Sequence, residues 1–258
     1  PDNIFHSFSK NFKFNFNLTE LNKFKKFKTI AVIGMGGSSL WSEAIYWFLK
    51  KKIKKKFIFL NDVDINKIDK LKKEQNLSKV LFIVISKSGS TIETLSNFLA
   101  LKIINNKSKN IIIISELNKN ILHQLSQKKK IYQIAHKKYI GGRYSVLSEV
   151  GIVPAYFMGA SIKKLRENLL LHLRLNSNKF LKNSTVMLSS LLKDNKFKNI
   201  IFLNYIPQLE KFHCWNQQLI AESLGKKGKG FLPLISQAPK DYHSLLQLYL
   251  DGPKDKLF

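Results

Sequence analysis

The chain is 258 residues long, with 44 Lys and Arg against 17 Asp and Glu, a formal net charge of +27. Hydrophobic residues make up 44%, which excludes wholesale disorder and allows one large domain or two of ordinary size. A single cysteine excludes a disulfide scaffold and a Cys-rich zinc site, and fits a reducing compartment.

No apolar run approaches the 18 residues that a membrane helix needs. The opening Pro1-Asp2-Asn3-Ile4 lacks a charged region followed by an apolar one, so no signal peptide is expected, and the missing Met suggests a fragment. The charge invites a nucleic-acid reading, because basic surfaces attract phosphate. Only three of the 44 basic residues are Arg, however: Arg143, Arg166 and Arg174. Dedicated DNA readers use Arg for bidentate contacts. Lys, Asn, Ile and Phe abound together, as AT-rich codons would produce. The +27 is therefore read as a lysine background on solvated faces, with no specific nucleic-acid partner expected.

The N-terminal half alternates short apolar runs with helical patterns. Residues Thr29–Ile33, 57–60, Val80–Ile85 and 111–114 read as buried strands. Amphipathic stretches at 38–52, Ile65–Glu74 and 91–104 lie between them. This alternation predicts right-handed βαβ units and a parallel sheet covered on both faces. The lysines of 50–56 are expected to close a helix beside its negative dipole end. Residues 146–174 read as mostly helical, interrupted by Gly151 and Pro154, with Arg166 and Arg174 facing solvent. A second α/β pattern follows: a helix near 185–192, a strand at 199–205 and a helix at 209–224. The expected domains are 1–140, and 141–258 with linking helices and an incomplete second sheet.

Five segments carry chemistry. The first is Gly34-Met35-Gly36-Gly37-Ser38-Ser39, after a strand and before a helix. Glycines admit a ligand close to the backbone, and a helix N-terminus offers free N–H groups. It matches neither the dinucleotide fingerprint nor a P-loop. By itself it fits either an anion cradle or a bare βα turn. The second is Ser86-Lys87-Ser88-Gly89-Ser90-Thr91, with four hydroxyls in six residues. Ser90 and Glu93 fit a capping box, which explains one hydroxyl and leaves three. Such a cluster suits a phosphate monoester. Both loops should open at the carboxyl edge of one sheet.

The third is Gly141-Gly142-Arg143-Tyr144-Ser145. Among so many lysines, an Arg after two glycines is informative, since its planar charged fork suits an oxyanion. The fourth is the helical face Trp215, Gln218, Leu219 and Glu222, which ends at Gly225. Glu222 in the last turn, beside apolar neighbours, is expected to have a raised pKa and to suit a general base. The fifth is Asp241-Tyr242-His243-Ser244, opening a helix to about Leu250. His213, beside Cys214, reads as structural.

These five segments, in this order, closely resemble glucose-6-phosphate isomerases over roughly residues 25 to 258. The tail Leu246-Gln247-Leu248-Tyr249-Leu250-Asp251-Gly252-Pro253 looks like bacterial members. The resemblance implies two three-layer α/β/α sugar-isomerase domains with mostly parallel sheets, in a cytoplasmic homodimer, without a metal or other cofactor. It implies glycolytic and gluconeogenic interconversion of glucose 6-phosphate and fructose 6-phosphate through a cis-enediolate. Ser86, Lys87, Ser88 and Thr91 would hold the phosphate. Gly37, Ser38 and Gly142 would line the sugar. Glu222 would move the proton between C1 and C2, Arg143 would stabilise the enediolate, and His243 of the partner subunit would assist ring opening. A non-catalytic sugar-phosphate sensor of the same domain type is the alternative.

Three departures from the family pattern stand out. Tyr242 precedes His243 where Gln is frequent, and Glu149 stands where a small residue is usual. The family's closing helix, with its ring-opening Lys, is missing; Lys256 lacks that motif context. The expectation is a chain cut at both ends, with weak or no isomerase activity.

Overall fold

The computed structural model describes residues 4–105, 108–169, 171, 179–194 and 196–258. The chain divides into two compact units, Pro1–Arg166 and Glu167–Phe258.

The first unit is built on five parallel strands: β1 (Thr29–Ile33), β2 (Lys56–Leu60), β3 (Val80–Ile85), β4 (Ile111–Ser115) and β5 (Tyr132–Ala135), in the order β2-β1-β3-β4-β5. The central strands are continuously apolar because both faces are covered. Every residue of β3 and β4 is buried. On one face, Ile30, Val32, Leu81, Ile83, Ile85, Ile112 and Ile114 pack with Leu21 of α1 (Leu18–Asn22), Ile45 of α2 (Leu40–Leu49) and Val150, Val153 and Phe157 of α6 (Glu149–Phe157). On the other, Ala31, Ile33, Phe82, Val84, Ile111 and Ile113 pack with Ile68 and Leu71 of α3 (Ile65–Glu74), Phe98 of α4 (Ile92–Ala100) and Leu122 of α5 (Ile121–Lys129). This is a three-layer α/β/α sandwich.

Two features of the linking region differ from the sequence expectation. First, α6 runs unbroken through Gly151 and Pro154. Ser148 caps it, its Oγ accepting from the Val150 N–H at 3.4 Å. Its apolar face joins the first core, so the structural division falls at Arg166 and not at residue 140. Second, Arg166, at the end of α7 (Ile162–Arg166), does not point into solvent. Its guanidinium lies over the rings of Phe12 and Phe14, at 5.0 and 5.1 Å, and donates to the carbonyls of Leu147 and Ser9. Arg174 lies outside the described residues. The basic run also differs in detail. The helix ends at Leu49 and a short 3-10 turn takes Lys50–Lys52, while Lys55 donates to the Lys25 and Phe27 carbonyls.

The second unit holds a parallel three-stranded sheet, β7-β6-β8, from β6 (Asn199–Asn204), β7 (Leu232–Gln237) and β8 (Lys256–Leu257). Its helices are α8 (Lys179–Asp194), α9 (Glu210–Leu224) and α10 (Tyr242–Asp251). Gln217 ties α9 to β7 by donating to the Pro233 carbonyl at 2.9 Å.

No helix among the described residues is long and apolar enough to cross a membrane. Phe82 is fully buried in β3. Phe82→Ala is expected to destabilise the first unit by about 3–5 kcal/mol, measured by urea unfolding.

Candidate active site

The strand order reverses between β1 and β3. These strands are neighbours, with Ile33 opposite Val84, yet the chain leaves β1 for α2 on one face and β3 for α4 on the other. The two connecting loops therefore diverge and leave a crevice at the carboxyl edge, where α/β sheets bind ligands. The loops are the glycine-rich 34–39 turn and the hydroxyl-rich 86–91 loop.

The first loop carries a 3-10 turn, Gly36–Ser38, before α2. Its second glycine has a steric role. A Cβ on Gly37 would lie 2.3 Å from the Gly142 carbonyl oxygen and 2.9 Å from the Arg143 nitrogen. Only a residue without a side chain lets this turn sit on the 3-10 turn Gly142–Leu147, which carries Arg143. Ser145 reinforces that turn: its Oγ donates to the Gly142 carbonyl at 2.6 Å. Arg143 is half-buried, with its guanidinium 4.6 Å from the Tyr144 ring centre. Gly37, Ser38, Gly142 and Arg143 are thus brought together in one unit.

The second loop is organised by its own hydroxyls. Ser86 Oγ and Thr91 Oγ1 are 2.8 Å apart, and Ser90 Oγ donates to Ser88 Oγ at 3.2 Å. The Gly89 and Ser90 N–H groups also point inward, to Ser86 Oγ and Ser88 Oγ. Gly89 has φ +65°, and a Cβ there would collide with Asn120, so glycine is required twice over. The expected capping box does not form. Thr91, not Ser90, is the N-cap residue of α4 and makes no side-chain cap bond, because its hydroxyl is engaged with Ser86. The loop is an array of hydroxyl and N–H groups that hold one another.

Lys87 is partly exposed and anchored at its tip. Its ammonium donates to the Lys138 carbonyl at 2.7 Å and lies 3.7 Å from Glu116. Close by is His136, 5% exposed, whose Nδ1 lies 3.0 Å from the Lys137 carbonyl oxygen. Burial pushes its pKa down to about 4, and the field of Lys87 adds to that direction.

Glu222 and His243 belong to the second unit. Gln218 donates to Glu222 at 2.7 Å along α9, so the expected shared face is present. The apolar surroundings expected for it are not: Glu222 is exposed. Gly225 follows α9 with φ −71°, not the left-handed geometry of a glycine cap. His243 lies exposed in the first turn of α10, behind Asp241, whose carboxylate accepts from the Gln237 N–H. His213 stacks on Phe202 at 5.3 Å, in keeping with a structural part. Among the described residues, no group of three or more His, Cys, Asp or Glu side chains could hold a metal ion.

Sequence reasoning did not find the role of residues distant in the chain. Glu149, noted only as an unusual acid, is fully buried and accepts from the Asn15 N–H at 2.9 Å.

The model of the phosphoglucose isomerase family matches residues 10–230. The glucose-6-phosphate isomerase of Methanocaldococcus jannaschii is 33% identical over 249 residues, covering 93% of this chain and 61% of that protein. A hypothetical protein of Thermus thermophilus superposes with a TM-score of 0.80 at 27% identity, covering 93% of this chain and 61% of that one. A glucose-6-phosphate isomerase of Chlamydia trachomatis gives a TM-score of 0.74 at 23% identity, covering 93% and 52%, and shares the fold. The chain spans about three fifths of the length of the curated relatives it matches.

Two outcomes follow from this geometry. Gly37→Ala is expected to lower stability by about 1–3 kcal/mol, since the added methyl must force two backbones apart; thermal unfolding measures it. His136 is neutral in the fold near pH 5–6, whereas the unfolded chain takes up a proton below about pH 6.5. Stability is therefore expected to fall as pH drops from 6.5 towards 4, by up to about 3 kcal/mol, and His136→Gln should flatten that slope in urea titrations.

Proposed function

The chain belongs to the phosphoglucose isomerase family, and on that premise we propose that it is the part of a cytoplasmic, homodimeric glycolytic enzyme that isomerises glucose 6-phosphate and fructose 6-phosphate. One observation carries the reading. The turn bearing Arg143 is stacked backbone to backbone on the Gly37 turn, beside the strand whose hydroxyl loop can hold a phosphate.

The phosphate is held by Ser86, Lys87, Ser88 and Thr91. A dianion replaces the mutual hydroxyl bonds of this loop with charge-assisted ones, which are shorter and stronger. The exchange leaves no donor unsatisfied, because the same hydroxyls simply rotate. Gly37, Ser38 and Gly142 line the sugar, where absent side chains leave room for its carbon skeleton.

The reaction needs one base able to take a proton from carbon and return it to the neighbouring carbon. Glu222 takes the C2 proton of the open-chain aldose. The C–H electron pair becomes the C1–C2 double bond, and the carbonyl electrons move to O1. Arg143 stabilises that oxyanion; its guanidinium stays charged at any working pH and is fixed before charge develops. Glu222 then returns the proton to C1, while a hydroxyl proton passes from O2 to O1. His243 of a partner subunit assists ring opening. C2 is oxidised as C1 is reduced within the one molecule, so no external electron carrier is needed.

Glu222→Gln is expected to reduce turnover about 10²- to 10⁴-fold in a coupled assay while fructose 6-phosphate binding persists. Unchanged turnover excludes Glu222 as the base. A chain that binds sugar phosphate with no turnover to lose, and whose affinity is indifferent to Arg143→Ala, is the sugar-phosphate sensor instead.

A further inference from the structure

Glu149 has no part in the chemistry above. Among the described residues of the first unit it is one of two fully or nearly buried carboxylates, with 0% exposure against 8% for Glu43. A carboxylate taken from water needs compensation. Here the compensation comes from three other stretches of chain. The Asn15 N–H donates to Oε1 at 2.9 Å. The Lys137 ammonium lies 3.9 Å from the same oxygen and donates to Asn15 Oδ1 at 3.0 Å. Asn15 Nδ2 donates to the Ala135 carbonyl at 2.9 Å. Arg166 adds a second positive field at the carboxylate.

These contacts converge on the far end of the Arg143 turn. Arg166 donates to the carbonyl of Leu147, the last residue of the 3-10 turn that begins at Gly142. It is held there by its bond to the Ser9 carbonyl and by the faces of Phe12 and Phe14. The Ser148 hydroxyl donates to the Ser145 carbonyl at 2.7 Å, closing the same end. One end of the turn thus rests on Gly37, while the other is clamped by Arg166. The remaining carboxylate oxygen, Oε2, is buried and has no hydrogen-bond partner. Burial pushes the Glu149 pKa up, and the Asn15 N–H, Lys137 and Arg166 work against that shift in favour of the charged form.

We propose that Glu149 is a positioning residue for Arg143: its buried charge holds Lys137, Arg166 and the 9–15 segment together as a clamp on the turn that carries the guanidinium. This rests on the reading of Arg143 as the oxyanion-binding group. Without the carboxylate, two cations face each other with no counter-charge, Arg166 moves outward, and the Leu147 carbonyl is released. The hydroxyls of the 86–91 loop take no part in the clamp; only Lys87 comes near it, through its bond to the Lys138 carbonyl.

The test uses Glu149→Gln, which keeps the shape and the acceptor for Asn15 but removes the charge, and Asn15→Ala, which loosens the clamp from its exposed side. Two ligands are compared by calorimetry: inorganic phosphate, and a five-carbon aldonic acid phosphate whose carboxylate stands in for the enediolate. Both variants should bind the acid about tenfold more weakly, with phosphate affinity unchanged. In hydrogen exchange, the amides of 143–147 should open faster and those of 86–91 should not. Equal loss for both ligands, or unchanged exchange at 143–147, overturns the proposal. If the unaltered chain binds the acid no better than phosphate, the role of Arg143 fails, and the exchange result alone then decides whether the clamp exists.

Discussion

Everything in the first unit depends on one constraint: β1 and β3 are neighbours, but the helices that follow them must cover opposite faces of the sheet. A parallel sheet buried on both sides has no other way to place α2 and α4 with right-handed crossovers. The loops 34–39 and 86–91 are forced apart at the edge where both strands end. The crevice is thus a product of topology and exists before any functional residue is chosen. The side chains then specialise it: glycine where backbone must meet backbone, hydroxyls where an anion can be held.

The electrostatics follow the same economy. The chain is strongly basic, yet the features that bear on the site are few and individually anchored. Lys87 is tied to the Lys138 carbonyl and faces Glu116. Arg166 is sandwiched against aromatic rings and bonded to two carbonyls. Exposed lysines elsewhere form ion pairs such as Lys70 with Glu74 and Lys23 with Glu20, which contribute little in water. A basic background raises the local concentration of anions but does not orient them. Orientation comes from the partly buried cations whose positions are set by several bonds at once.

The parts legible in the sequence were those with a local cause. β1, β3 and β4 are continuous apolar runs and were found nearly to the residue. The 34–39 and 86–91 loops were legible because glycines and hydroxyls cluster between a strand and a helix. What escaped lacked such a cause. β5 reads Tyr-Gln-Ile-Ala, too mixed for a buried run, because it is an edge strand. β7 contains Pro233, and β8 is two residues long. The Ser90 capping box was a sound local motif, overruled when Thr91 bonded to Ser86. Arg166 looked like a helix-surface residue because Phe12 and Phe14, which cover it, are some 150 residues away in the chain. Glu149 was visible as an oddity, but its partners at 15, 137 and 166 can be assembled only by the fold.

The contact between Gly37 and Gly142 has a consequence for how such a site can change over generations. Gly37 cannot acquire a side chain without forcing the turns apart, whereas a Cβ on Gly142 would meet nothing within 4 Å. Change at this contact is open at Gly142 and at the partly exposed Ser38 and Tyr144 beside it. The two glycines thus divide the site into a part closed to innovation and a part that stays open to it.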